Sequence, residues 1–160
     1  MVSSNQRPRI HWKMLAFFIV TALLAGGIGS LLAGGFDFES VVQPPLSPPA
    51  WLFPVVWTVL YVLMGIAAYL VWATRDKRVP KLLTPYWWQL AVNALWPLFF
   101  FRLEWRLFAF FWLLLLVALV AYTMAGFRQV SRTAFWLLVP YLVWLGFAGY
   151  LNLGVYLLNM

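Results

Sequence analysis

Long apolar blocks alternate with short polar connections along the whole chain. Five blocks each hold about the 20 apolar residues that a helix needs to cross a bilayer, and they lie near residues 12–34, 51–74, 83–101, 105–127 and 133–157. The first block is longer than the apolar run of about 7–15 residues in a cleaved signal peptide. The pattern therefore predicts an all-α integral membrane protein, a single domain over residues 1–160 in which five transmembrane helices form a bundle.

Composition supports the same class. Hydrophobic residues make up 65% of the 160 residues and charged residues 9%, whereas soluble domains have roughly 45–50% and about 25%. A chain this rich in aliphatic and aromatic side chains is neither a soluble domain nor a disordered one. There is no cysteine, which excludes a disulfide scaffold.

The distribution of lysine and arginine predicts the orientation. Nine of the 11 cationic residues lie in the N-terminal tail and in the second and fourth connections, and the other two, Arg102 and Arg106, lie in the third. The positive-inside rule then places the N-terminus in the cytoplasm and the C-terminus outside. Asp37 and Glu39, in the first connection, fall on the outer side. Because the net charge of +7 is explained by topology, we expect no nucleic-acid partner.

Few reactive groups are available. His11 is the only histidine and precedes the first block, and no Lys, Asp or Glu lies deep within a block. We therefore expect no metal site, no proton relay and no bound cofactor. Serine and threonine have no neighbouring base to activate them, so we predict no acid–base or hydrolytic enzyme and no firm catalytic residue.

Uncharged polar and aromatic side chains recur at helical spacing in three blocks. These stripes are Trp57, Tyr61 and Met64; Gln89, Asn93, Trp96 and Phe100; and Tyr141, Trp144, Ala148 and Asn152. Helix packing alone explains each stripe taken singly. At about 1.5 Å per residue, however, all three overlap in the outer half of the bilayer, beneath the proline-rich first connection. Together they predict an aromatic cavity with a few amides.

The same residues resemble a known family. The run from Pro48 to Gly65, the segment Gln89–Trp96, the triplet Gln129–Ser131 and the pattern from Pro140 to Asn152 are similar, in order, to motifs of the tryptophan-rich sensory protein / translocator protein family, also called the peripheral-type benzodiazepine receptor. The resemblance covers residues 12–160.

The resemblance implies a five-helix bundle, often a homodimer, in the bacterial inner membrane. It also implies that porphyrin or haem-type tetrapyrroles and drug-like benzodiazepine-site molecules are the ligands. Trp57 and Trp144 fall on the pocket tryptophans of the family. Other pocket positions fall on Tyr61, Asn93, Trp96, Phe100, Ala148 and Leu151, and the helical stripe adds Asn152.

Two departures from the family pattern are visible. Pro45 and Leu46 stand where many relatives have a tryptophan before a Pro-Pro pair, which changes the first connection. Leu153 and Leu157 replace the tyrosine and arginine of the sterol motif of animal members. We therefore do not predict sterol binding.

Three functions follow as hypotheses. The first is a membrane receptor or sensor for tetrapyrroles. The second is a transporter for porphyrin or another apolar metabolite, although the blocks contain neither an inverted repeat nor an internal charge for coupling. The third is light-dependent porphyrin degradation, in which Trp57 and Trp144 would take part.

Overall fold

A computed structural model describes residues 10–35 and 41–160. It contains five α-helices and a π-helical turn. The helices are α1 (Trp12–Ala33), α2 (Leu52–Ala73), α3 (Val79–Pro97), α4 (Arg106–Arg128) and α5 (Arg132–Leu158), and the π-helical turn (Leu98–Arg102) follows α3 directly. Asp37 and Glu39, which the sequence places on the outer side, lie outside the described residues, as do Arg7 and Arg9.

The five predicted blocks correspond to these five helices, and the third block differs most. Its helix begins at Val79 and not near residue 83, because Pro80 fits the first turn of a helix, where its missing N–H is not needed. Its α-helical part ends at Pro97, and the remaining residues up to Arg102 form the π turn. The predicted boundary at residue 101 therefore falls inside a turn of different geometry.

Four of the five helices, namely α1, α2, α4 and α5, are long and apolar enough to cross a membrane. The chain is thus an integral membrane protein. Helix α3 is shorter and more polar, since Lys81, Gln89 and Asn93 interrupt its apolar residues.

The helices form a closed ring. Helix α1 packs against α2 and α3, α4 packs against α3 and α5, and α5 closes the ring against α2. Met64, Tyr86, Leu113, Leu138 and Tyr141 are among the large side chains buried inside it. Many apolar residues outside the ring are exposed, as expected for a surface that faces lipid rather than water.

Small residues bring α1 close to α2. A Cβ atom on Gly65 would lie 2.6 Å from Ile19 Cα, so the two backbones touch at this point. Farther along α1, Ala22 is fully buried, and a Cβ on Gly26 would overlap the Tyr61 ring. Ala22 and Gly26 belong to a repeat of small residues at every fourth position of α1, together with Ser30 and Gly34, and both pack within the protomer.

The first connection is attached to the end of α5. The Val42 N–H donates to Asn159 Oδ1 at 2.9 Å, and Asn159 Nδ2 donates to the Val42 carbonyl at 2.9 Å. The Tyr150 hydroxyl donates to the Pro45 carbonyl at 2.7 Å. Pro44 packs on Gly154 so closely that a Cβ there would lie 2.7 Å from the proline ring. Residues 42–45 are thereby held against one side of α5.

The opposite end of the bundle carries most of the described cations. Arg78 forms an ion pair with Asp76 at 2.9 Å and also donates to Gln129 Oε1 at 3.1 Å. This side chain therefore joins the second connection to the fourth. Hydrogen bonds from Arg78 lower the pKa of the Asp76 carboxyl to about 2.

Candidate ligand cavity

A cavity of about 830 Å³ lies at the end of the bundle that carries the first connection. Its walls come from α1, α2, α3, the π turn and α5, and Gly35 and Ala50 of the first connection also border it. All nine residues that the sequence nominates for ligand binding line it: Trp57, Tyr61, Asn93, Trp96, Phe100, Trp144, Ala148, Leu151 and Asn152. The structure thus brings the nine together, and their role in binding stays a prediction.

The α2 wall is built from two rings one helical turn apart. The ring centroids of Trp57 and Tyr61 are 5.7 Å apart. The Tyr141 ring of α5 meets Trp57 edge to face at 6.2 Å and 68°. Tyr141 is fully buried, so this contact packs the Trp57 ring against the core of the bundle.

The α5 wall combines a large ring with a small side chain. Trp144, Ala148 and Leu151 lie four and seven residues apart, on one face of the helix. The Trp144 ring meets Phe53 of α2 at 6.1 Å and 67°, which links this wall to the previous one. Ala148, whose side chain is a single methyl group, leaves the space beside that ring open.

The α3 wall continues into the π turn. Trp96 and Phe100 stack with centroids 5.0 Å apart and planes 16° from parallel, and Phe101 meets Trp96 at 5.7 Å and 79°. The Leu103 N–H donates to the Leu98 carbonyl at 2.9 Å, the five-residue spacing of a π-helix. This wider turn lets the consecutive residues Phe100 and Phe101 both reach the cavity.

The two asparagines of the wall are hydrogen-bonded to other helices. Asn93 Nδ2 donates to the Tyr141 hydroxyl at 2.8 Å. Asn152 Oδ1 accepts from Trp96 Nε1 at 3.3 Å, and Asn152 Nδ2 donates to the Arg106 main-chain carbonyl at 2.7 Å. An amide in hydrocarbon must find such partners, because an unsatisfied one costs several kcal/mol. Both asparagines meet this requirement through partners on other helices.

The sequence pattern does not predict that α1 forms a wall of the cavity. Leu23, Gly26, Gly29, Ser30 and Ala33 all border the cavity. The four-residue repeat of small residues was the available signal, but it indicated only a close helix contact. Conversely, Met64 and Gln89 belong to the predicted stripes and do not line the cavity. They are buried beneath it, with Gln89 Nε2 3.9 Å from Met64 Sδ.

The chemistry of the wall is that of a binding site for an apolar molecule. None of the described lining residues carries a charge. The wall offers aromatic faces, methyl groups and a few uncharged polar atoms. Such a surface favours apolar burial and ring stacking.

The fold and the cavity define the class of protein. It is a helical integral membrane protein with an aromatic cavity at one end of its bundle. The sequence profile of the TspO/MBR family matches residues 16–158, and the chain belongs to this family. The tryptophan-rich protein TspO of Chlorobaculum tepidum is 36% identical over 152 residues, which cover 91% of this chain and 95% of that protein.

Relatives extend from bacteria to mammals. The protein CrtK of Rhodobacter capsulatus is 35% identical over 148 residues, covering 91% of this chain and 92% of its own length. The translocator protein of Homo sapiens is 38% identical over 151 residues, covering 91% of this chain and 89% of its own length. The family resemblance predicted from the motifs is therefore confirmed over nearly the whole chain.

Proposed function

We propose that the protein is a membrane receptor or sensor that binds tetrapyrroles, of the porphyrin or haem type, in the cavity beneath the first connection. The observation that carries this proposal is the placement of Trp57 and Trp144. These two rings belong to different helices and line one cavity of about 830 Å³.

The physical match is between flat surfaces. A porphyrin is a wide π-system, and stacking against indole and phenyl rings combines apolar burial with a favourable ring geometry. The cavity volume lies within the range of roughly 300–1,000 Å³ in which proteins bind small molecules. The same walls suit drug-like benzodiazepine-site ligands, which are also apolar and aromatic. Relatives named tryptophan-rich sensory protein and translocator protein add support.

The proposal includes a topology. Five spans with the N-terminus in the cytoplasm place the cavity in the outer half of the bacterial inner membrane. Six cations of the second and fourth connections lie at the end of the bundle away from the cavity, whereas only Arg102 and Arg106 of the described cations lie at the cavity end. The six are at residues 75, 77, 78, 81, 128 and 132. The positive-inside rule supports this orientation. A homodimer is part of the proposal on the family resemblance alone.

The experiment is a set of parallel titrations. Purified protein is titrated with protoporphyrin, haem and a sterol, while tryptophan fluorescence and the porphyrin absorption band are recorded. Saturable quenching with protoporphyrin or haem, and none with the sterol, is the expected result. Absence of saturation with both tetrapyrroles would refute the proposal.

Light-dependent porphyrin degradation is the second candidate, favoured by the same two tryptophans in the cavity wall. Illumination of the bound porphyrin should then bleach its absorption band faster than that of free porphyrin in the same detergent. Equal bleaching rates would exclude degradation and leave the receptor or sensor and the transporter.

A further inference from the structure

One side chain joins three helices at the cavity wall. Asn152 of α5 accepts a hydrogen bond from the indole N–H of Trp96 on α3. It also donates one to the main-chain carbonyl of Arg106, the first residue of α4. Its side chain is almost completely buried, with 1% of its surface exposed. Although Asn152 borders the cavity, it therefore presents little surface to a ligand.

Both ends of the Asn152 amide are already engaged. The oxygen accepts from Trp96 at 3.3 Å, and the nitrogen donates at 2.7 Å. The oxygen and the nitrogen could each form one more hydrogen bond, but only 1% of the residue is exposed, so a ligand has almost no surface through which to reach them. Asn152 is therefore better placed to hold its neighbours than to contact a ligand directly.

Trp96, by contrast, lines the cavity, and its indole N–H donates to Asn152. An indole has one donor and no acceptor, so this hydrogen bond is the single polar restraint on the rotation of the ring. The same ring stacks on Phe100, with centroids 5.0 Å apart. Loss of the Asn152 oxygen would free the indole to turn toward another acceptor and would disturb this stacked wall.

We propose that Asn152 is a positioning residue, which holds the Trp96 ring in the cavity wall and anchors it to the first carbonyl of α4, and that it does not itself bind the ligand. Helix α4 thereby contributes to the site through a backbone atom, although none of the described lining residues belongs to it. This inference rests on the proposed tetrapyrrole site for its binding readout. Its spectroscopic readout is independent of any ligand.

The test uses Asn152→Leu, which keeps the size of the side chain and removes both hydrogen bonds. In ligand-free protein, the indole ¹H–¹⁵N signal of Trp96, assigned from its absence in Trp96→Phe, should move or broaden. Affinity is then measured for coproporphyrin, which carries carboxylates, and for etioporphyrin, which carries only alkyl groups. A positioning role predicts the same loss for both, about 3- to 10-fold, the worth of one hydrogen bond.

A direct contact between Asn152 and the ligand carboxylates gives a different result. Asn152→Leu would then weaken coproporphyrin binding alone and leave etioporphyrin binding unchanged, which overturns the proposal. The Trp96→Phe background adds a second check, because the loss caused by Asn152→Leu should shrink there if the two residues act as a unit. Independent, additive losses in the double variant also overturn it.

Gln89→Leu is the matched control. It removes an equally buried amide of the same bundle that does not line the cavity, so both affinities and the Trp96 signal should stay as in the wild type. If Asn152→Leu does not fold, Asn152→Asp keeps an oxygen at the Oδ1 position and should retain the Trp96 signal; its loss would contradict the proposal. If the wild-type protein binds neither porphyrin, the proposed function fails, while the indole signal still tests the positioning role.

Discussion

Replacing Ala148 by leucine separates a ligand cavity from a surface that only packs helices. Ala148 borders the cavity between Trp144 and Leu151, and the larger side chain would project into the space that a ligand fills. If it keeps a ligand from about 60 Å² of wall, at about 25 cal/mol per Å², the loss is about 1.5 kcal/mol. We therefore expect the dissociation constant for protoporphyrin to rise roughly tenfold.

The assay pairs a binding titration with thermal unfolding in the same detergent. Because the added methyl groups of Ala148→Leu enter open space, its melting temperature should stay near that of the wild type. Ala109→Leu serves as the matched control, since Ala109 is fully buried on α4 and does not line the cavity. Overpacking there should cost about 1–3 kcal/mol of stability and leave the affinity of the folded protein unchanged.

The reverse pattern would contradict this prediction. If Ala148→Leu lowers the melting temperature as much as Ala109→Leu does, and the folded fraction binds porphyrin with wild-type affinity, then the face around Ala148 only packs helices. Unchanged affinity in Trp57→Phe and Trp144→Phe as well would leave the three aromatic stripes with no role in binding.

Three further predictions concern the cavity tryptophans, the orientation in the membrane and the second connection. Trp57→Phe and Trp144→Phe should each leave the helical circular-dichroism spectrum unchanged and slow light-driven porphyrin loss; unchanged bleaching in both variants would remove the degradation candidate. An alkaline phosphatase fused to the C-terminus should be active in a bacterial host, whereas a C-terminal fluorescent protein that matures in the cytoplasm would contradict the orientation. Arg78→Ala should raise the pKa of the Asp76 carboxyl from about 2 toward its ordinary value, as followed by carbon NMR. The depressed pKa means that this ion pair contributes to stability above the ordinary carboxyl pKa and loses that contribution as the pH falls toward about 2. A pKa that does not change in the variant would show that the Arg78 side chain is not the cause.

The number and length of the helices could be predicted because a bilayer sets a minimum length for each apolar block. The first block, predicted near residues 12–34, became the helix Trp12–Ala33. The start of α3 was missed because Pro80 and Lys81 interrupt the apolar pattern, although proline is common in the first helical turn. The π turn has no compositional signature, since it adds one residue to a turn without changing which residues are apolar.

The cavity was predicted only as far as each helix could be considered alone. Period and depth placed Trp57, Asn93 and Trp144 on inward faces, and the structure brings those faces together. The contribution of α1 depends on which helices are neighbours in the ring, and a helix that is apolar on all sides, as α1 is, does not reveal this. Likewise, the pattern placed Asn152 on the wall but could not show that both ends of its amide are engaged by Trp96 and Arg106.

The attachment of the first connection to α5 has a consequence for the order of biosynthesis. The hydrogen bonds from Val42 to Asn159 span 117 residues, and the one from Tyr150 to Pro45 spans 105. Contacts between such distant parts of a chain form late, because the loop between them must close first. Helices α1 to α4 can therefore insert and pack while the first connection still lacks its anchor. The first connection gains its anchor, and the cavity gains its α5 wall, only after α5 has left the translocation machinery, so a nascent chain arrested before that point should have no complete site to offer a ligand.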